Sequence, residues 1–186
     1  MEQGFEFDTG LHYIGGRVGE PFSPFRRLFD FITDSSVAWA PMQDPYDVAV
    51  VCPASGGPPP APFPMPASLR ELKAALLARF PKEAPAIHGY FAATKAAAST
   101  PLLAFFLRQT LPSPLLSLLR PLLAPFLAPF LTTTHAVLTS LHASPELIST
   151  LAYFWGDFGE PPKSSSFAMQ ALLQAHWRGG GYYPIG

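Results

Sequence analysis

Few residues in this chain of 186 have the types and the spacing that catalysis or cofactor binding requires. The segment Gly15-Gly16-Arg17-Val18-Gly19 could turn backbone amides toward a phosphate. Its spacing, however, fits neither G-x-G-x-x-G nor G-x-x-x-x-G-K-[ST]. The sequence also has no G-x-S-x-G segment to present a nucleophilic serine. Motif spacing alone therefore predicts no complete catalytic site.

The histidines and the single cysteine are the other side chains with chemistry of their own. His135 and His142 are seven residues apart and can share a helix face, but no third ligand is near them in sequence. We therefore expect no metal site. Cys52 follows a run of valines, which favours a buried and unreactive thiol. One cysteine also excludes an intrachain disulfide and a thiolate zinc cluster.

The composition is that of a globular protein with few charges. Apolar residues make up 48% and charged residues 13% of the chain, and the formal net charge is −1. Because nucleic-acid binders carry a basic surplus, we expect no nucleic-acid partner. The 23 prolines predict that neither a long regular helix nor a continuous sheet forms.

Hydropathy patterns place strands mainly in the first third of the chain. Residues 5–13 alternate between apolar and polar and predict a strand that ends at Gly15. A short helix is predicted at 28–32, and a second strand at 46–52. The proline-rich segment 53–66 is typical of a turn followed by an extended edge.

The pattern in the rest of the chain predicts helices. Ser68-Leu69-Arg70-Glu71 has the form of a capping box, and Ser144-Pro145 places an N-cap before an N1 proline. Further helices are predicted over 86–98, after the threonines at 132–134, and over 166–178, where the helix is apolar nearly all round and must be buried. The fold class we predict is α+β, mostly helical.

The most apolar segment, 102–131, is long enough to span a bilayer, but two arginines and five prolines interrupt it. We expect short proline-broken helices that either pack in a core or lie in a membrane interface. Residues 1–10 show neither the basic nor the apolar region of a secretory signal.

Three blocks of sequence resemble a known family. Residues 4–15 read GFEFDTGLHYIG, residues 39–51 read WAPMQDPYDVAVV, and residues 144–186 begin SPELISTLAYFWGDFGE and end GGGYYPIG. In this order and at these separations they resemble the retinol saturases, flavin-dependent enzymes grouped with carotenoid isomerases and phytoene desaturases. The resemblance covers essentially the whole chain. It is weakest at 53–66 and 101–131, and Ile185 stands where the family usually has arginine.

The resemblance implies a larger flavoprotein in which a Rossmann-type FAD domain and a substrate domain are interleaved. Because this chain lacks the dinucleotide motif, we expect an internal fragment that is inactive alone and of low stability or partly disordered. Residues 1–66 would supply a strand and sheet beside the flavin, and 67–178 a helical part of the substrate domain with the Pro/Leu-rich 101–131. Residues 179–186 would begin a truncated strand.

The chemistry implied by the resemblance is reduction of one carbon–carbon double bond of a retinoid, with FAD as cofactor and NAD(P)H as an electron donor. Two alternatives stay open: part of a carotenoid (prolycopene) isomerase-like enzyme, or a non-catalytic module that binds an apolar ligand or a membrane surface. The expected partners are a retinoid or carotenoid and a membrane at its periphery. The expected location is the endoplasmic-reticulum membrane, or a plastid for the isomerase.

The family also implies which residues lie near the reaction, although no catalytic residue can be named. Asp8, Gly10 and His12 would contact the flavin, whereas Asp8 could instead bond its own turn and His12 could be a structural histidine. The substrate side would be lined by Tyr13, Tyr182 and Tyr183, which could equally be ordinary strand aromatics. His176 and Arg178 end the final helix, where the helix dipole stabilises cations.

Overall fold

A computed structural model describes residues 13–53, 55–98 and 100–185, without the side chains of 100–104. The described residues form four short strands, namely β1 (Ala38–Pro41), β2 (Asp47–Ala49), β3 (Phe63–Met65) and β4 (Tyr182–Ile185). They form eight α-helices, namely α1 (Pro24–Ile32), α2 (Leu69–Arg79), α3 (Ala84–Ala97), α4 (Thr100–Thr110), α5 (Ser113–Leu131), α6 (Thr134–Ser140), α7 (Pro145–Leu151) and α8 (Phe167–His176). The predicted α+β class, mostly helical, is confirmed. The Rossmann-type parent domain stays a prediction.

The chain divides into two compact units that alternate along the sequence. The first unit contains the described residues up to Val48, residues 64–72, and those from His176 onward. The second contains residues 49–63 and 73–175. The sequence-based divisions at 66/67 and 178/179 stay predictions.

In the first unit, backbone segments that are far apart in the sequence pair with one another. Strands β1 and β4 are antiparallel, with Ala38 opposite Ile185 and Pro41 opposite Tyr182. On the other side of β4, Tyr182 exchanges backbone hydrogen bonds with Ile14, at 3.0 and 2.8 Å. Tyr182 therefore lies between two segments that are far from it in sequence. The predicted strand over 5–13 lies almost entirely outside the described residues.

Helix α1 extends the predicted short helix toward the N-terminus. It begins at Pro24 because Ser23 caps it: the serine Oγ accepts the N–H of Arg26 at 3.0 Å. The predicted helix over 28–32 is confirmed, with one more turn than the hydrophobic pattern showed.

The second unit is a helical assembly around an apolar core. Its most buried large side chains are at most 1% exposed and include Leu76, Ile87, Leu138 and Leu147. The predicted cap of α7 is confirmed, since Ser144 Oγ accepts the N–H of Leu147 at 3.2 Å. The carboxylate of Glu83 accepts the N–H and the hydroxyl of Ser144 at 2.7 and 2.8 Å, which fixes the start of α7.

Helix α5 corrects the prediction for 102–131. The chain does break between α4 and α5, but α5 continues for 19 residues through Pro121, Pro125 and Pro129. Each proline removes one backbone donor and leaves the carbonyl four residues before it without its helical partner. The prolines are four residues apart, so the freed carbonyls lie along one side of an exposed helix. Of the two alternatives for this segment, packing in a core does not describe α5, because α5 has no buried residue.

By length and composition, α5 is the one helix of the described residues that could cross a membrane, and none of its apolar window is buried. It packs against α4 as a helical hairpin. The hairpin exposes large apolar side chains, namely Phe105, Phe106, Leu115, Leu118, Leu122, Phe126 and Leu131.

Candidate functional site

An aromatic cluster in the first unit surrounds the indole of Trp177, which follows α8. The ring of Tyr13 lies 5.0 Å from that of Trp177, and the ring of Tyr46 stacks on it at 5.8 Å. The ring of Tyr183 meets that of Tyr13 edge-on at 6.3 Å. The edge-on and stacked contacts are the preferred geometries of aromatic pairs, so these rings hold one another in place.

The structure brings together two of the three tyrosines that were predicted to line the substrate side, Tyr13 and Tyr183, whereas the ring of Tyr182 lies beside Gly19. Tyr13 donates its hydroxyl to Asp47 Oδ2 at 3.1 Å, and Tyr183 is 43% exposed beside it. Tyr182 precedes Tyr183 in β4, where successive side chains point to opposite faces. Their contact with a substrate stays a prediction. The predicted flavin contacts Asp8, Gly10 and His12 lie outside the described residues.

His176 ends α8 and accepts two hydrogen bonds from the turn at Gly15. The N–H of Gly15 donates to His176 Nε2 at 3.0 Å, and the N–H of Gly16 donates to the His176 carbonyl oxygen at 2.6 Å. A ring nitrogen that accepts a hydrogen bond carries no proton, so this imidazole is neutral. Burial also lowers the pKa of His176. The expectation of a cation at the end of the helix is therefore wrong for His176.

We expect the stability of the first unit to fall as the pH drops below about 6.5, the ordinary histidine pKa. The folded pKa of His176 is the lower one, so the unfolded chain takes up a proton first and acid favours unfolding. The loss continues until the pH passes the folded pKa. Urea unfolding measured at neutral and mildly acidic pH checks this, with His176→Gln showing a smaller loss. His88→Gln, which changes an exposed histidine, should leave the loss unchanged, and an equal effect of both variants contradicts the assignment.

In the first unit, other atoms of this chain occupy the space that a Cβ at each described glycine would take. A Cβ at Gly181 would lie 2.5 Å from Met42 Sδ and 2.9 Å from Tyr13 Cδ2. A Cβ at Gly16 would lie 2.6 Å from the ring of Phe25. In the described part of the chain, these glycines permit close protein packing and leave no open cradle for a flavin or a pyrophosphate. We therefore assign no reaction step through FAD to these residues.

The second unit contains a buried polar chain that the sequence did not reveal. Tyr90 donates its hydroxyl to Gln174 Oε1 at 2.9 Å and accepts the Nε2 group of Gln170 at 2.9 Å. Gln170 Nε2 also donates to the carbonyl oxygen of Leu151 at 2.8 Å. The signal available in the sequence was two glutamines four residues apart on a helix that is otherwise apolar. The prediction that α8 is buried on most sides is confirmed.

An apolar groove of about 500 Å³ lies between α3 and the end of α5. Its volume is within the range of about 300–1,000 Å³ that is usual for small-molecule sites. Thr132 is its only residue with a polar side chain, and the Thr132 hydroxyl donates to the Ala128 carbonyl oxygen at 3.1 Å. The hydroxyl oxygen keeps lone pairs that can accept a hydrogen bond from a ligand. We call this site the α3–α5 groove; it is lined by Ala93, Ala96, Ala97, Pro125, Phe126, Ala128, Pro129, Thr132, Val137 and Phe167.

The described residues include no cluster of candidate metal ligands, and the single cysteine is accessible to solvent. No group of three or more His, Cys, Asp or Glu side chains there could hold a metal ion. Cys52 is free and exposed, which corrects the expectation of a buried thiol. The thiol is exposed because β2 ends at Ala49, and Val50, Val51 and Cys52 follow the end of this strand.

Comparison with known proteins gives relatives named all-trans-retinol 13,14-reductase and one named as an inactive form of it. The all-trans-retinol 13,14-reductase of Rattus norvegicus is 35% identical over 192 residues, which cover 98% of this chain and 30% of that protein. The Homo sapiens protein of that name is 35% identical over 194 residues, covering 100% of this chain and 30% of its own length. A Danio rerio protein named inactive all-trans-retinol 13,14-reductase is 30% identical over 200 residues, with coverage of 100% and 30%.

No protein-family model and no solved structure matches the chain. The chain spans about 30% of the length of the curated relatives it matches. The resemblance to retinol saturases that the sequence predicted is confirmed: over its whole length, this chain is similar to all-trans-retinol 13,14-reductases.

Proposed function

We propose that this chain provides the retinoid-binding part of a flavin-dependent oxidoreductase that reduces a carbon–carbon double bond of its substrate. The observation that carries the proposal is the α3–α5 groove in a chain similar to all-trans-retinol 13,14-reductases. The flavin would supply the hydride chemistry when bound. This chain's own residues would hold the polyene and exclude water from it.

The groove combines apolar walls with one hydroxyl, as a polyene alcohol requires. Alanine and proline side chains of α3 and α5 leave room for a long conjugated chain, and Phe126 and Phe167 offer flat surfaces to it. The lone pairs of the Thr132 hydroxyl can accept the hydrogen bond of a terminal alcohol. Because the groove has this single polar side chain, it would orient an alcohol without binding a charged ligand.

We expect Ala96→Trp to weaken retinol binding at least tenfold, because an indole at this exposed position would fill the groove without entering the core. Quenching of tryptophan fluorescence and the absorption of added all-trans-retinol measure the dissociation constant. The matched control is Ala92→Trp, one turn earlier on α3, where the side chain is exposed and lies outside the groove. Equal binding by both variants, or no retinol binding by the unmodified chain, counts against the proposal.

A second role, contact with a bilayer surface, is favoured by a different observation. Leu115, Leu118 and Leu122 are 40%, 76% and 75% exposed and recur every three or four residues along α5. This spacing places them on one side of the helix, which we call the leucine stripe. An exposed apolar stripe on a helix is typical of binding in a membrane interface. The carbonyls freed by the prolines make a spanning position costly, since hydrocarbon offers them no hydrogen bond.

A further inference from the structure

We propose that the α4–α5 hairpin binds the phosphate of an anionic phospholipid between Arg108 and Arg120. Both arginines line one groove of about 330 Å³, together with Ser113, Ser117 and four leucines. We call it the arginine groove. The proposal rests on the bilayer contact proposed for the same hairpin and names the lipid that it would select.

Charge is the first argument. Between Glu83 and Glu146 the sequence has no Asp or Glu, while Lys95, Arg108 and Arg120 all lie in this interval. Among the described residues, no carboxylate lies within ion-pair distance of Arg108 or Arg120. Both side chains are exposed. Two guanidinium groups that have no counter-ion among the described residues are suited to phosphate, which they can bind in a bidentate manner.

The position of the arginine groove relative to the leucine stripe is the second argument. At 100° per residue, Ser113 and Arg120 lie on the side of α5 opposite Leu118 and Leu122. An interfacial helix buries its apolar side about 5–10 Å into the boundary of headgroups and acyl chains. Because a helix is about 10–12 Å across, the opposite side then lies level with the headgroups. The arginines would be at the depth of the lipid phosphates.

The lining of the arginine groove is the third argument. Leu107, Leu116, Leu123 and Leu127 form its apolar part, and the guanidinium groups and serine hydroxyls its polar part. An anionic lipid has this same division between headgroup and acyl chain. Arginine stems can lie along the leucines while their charged ends reach the phosphate.

The test is flotation of the 186-residue chain with vesicles of phosphatidylcholine alone or with an equal part of phosphatidylserine. A basic residue near an anionic surface contributes about fivefold in partitioning, so Arg108→Gln with Arg120→Gln should lower binding to the mixed vesicles about 25-fold. Binding to phosphatidylcholine alone should not change. The matched control, Arg70→Gln with Lys82→Gln, removes the same charge from exposed positions elsewhere and should keep binding to the mixed vesicles. Leu118→Glu with Leu122→Glu should abolish binding to both kinds of vesicle.

Three results would overturn the proposal. Equal loss in the arginine pair and in its control would mean that net charge alone acts. Equal binding of the unmodified chain to both kinds of vesicle would remove the headgroup selection and leave the bilayer contact intact. If the unmodified chain binds neither kind of vesicle, both the headgroup selection and the bilayer contact are wrong. The retinol measurement with the Ala96 variant tests the α3–α5 groove and would be unaffected.

Discussion

Replacing Gly15 by alanine is expected to destabilise the first unit by about 3 kcal/mol. The new Cβ would overlap the carbonyl oxygen of His176 and lie 2.8 Å from the Cδ2 atom of its ring. That oxygen already accepts the N–H of Gly16 at 2.6 Å, and it belongs to the backbone at the end of α8. A backbone atom held on two sides cannot rotate away as a flexible side chain could. The turn must therefore open and lose both hydrogen bonds to His176.

Urea unfolding followed by circular dichroism and tryptophan fluorescence measures this loss. The control is Gly156→Ala, since a Cβ at Gly156 would meet nothing within 4 Å. We expect its free energy of unfolding to stay within about 0.5 kcal/mol of that of the unmodified chain. A comparably small change for Gly15→Ala would mean that the close approach of Gly15 to His176 is not what holds the turn.

Tyr90→Phe is expected to cost about 2 kcal/mol in the second unit. Tyr90 is 0% exposed, and its hydroxyl is both the donor to Gln174 and the acceptor from Gln170. Without the hydroxyl, two buried amide groups each lose a partner that water cannot replace. Among the described residues, the buried Oε1 atom of Gln170 already has no hydrogen-bond partner. The polar chain therefore has little capacity to rearrange.

A second substitution separates the hydrogen bond from the packing. Adding Gln174→Met to Tyr90→Phe removes both partners of one bond, and replacing both by apolar groups is close to neutral. We expect the double variant to be more stable than the sum of the two single changes indicates. Tyr183→Phe, at an exposed tyrosine, is the control and should have little effect. Strict additivity would show that the Tyr90 hydroxyl and Gln174 do not act together.

Local signals predicted the helices well. The caps at Ser68 and Ser144 and the spacing of leucines located α2 and α7 to within a residue or two. Helix α5 was missed because the rule that proline breaks a helix considers one proline at a time. Four-residue spacing gathers the lost hydrogen bonds on one side, and the bonds on the other sides keep the helix continuous.

The candidate site was harder to predict because distant segments build it. Gly15 and His176 are 161 residues apart, and Tyr90 and Gln174 are 84 apart. No period or motif marks such pairs in a single sequence. Tyr13, Tyr182 and Tyr183 were brought together in advance only by the family resemblance. The α3–α5 groove could not be foreseen, since its walls require α5 to remain helical through three prolines.

The pairing of Tyr182 with both Ile14 and Pro41 has a consequence for synthesis on the ribosome. The second unit is complete once residue 175 has emerged, so its helices can fold while translation continues. The strand pairing of the first unit must wait, because Ile14 and β1 pair with β4, which follows them far along the chain. During that delay Ile14, Trp39 and their neighbours remain without β4. The order of assembly is thus the reverse of the order in which the two units begin in the sequence.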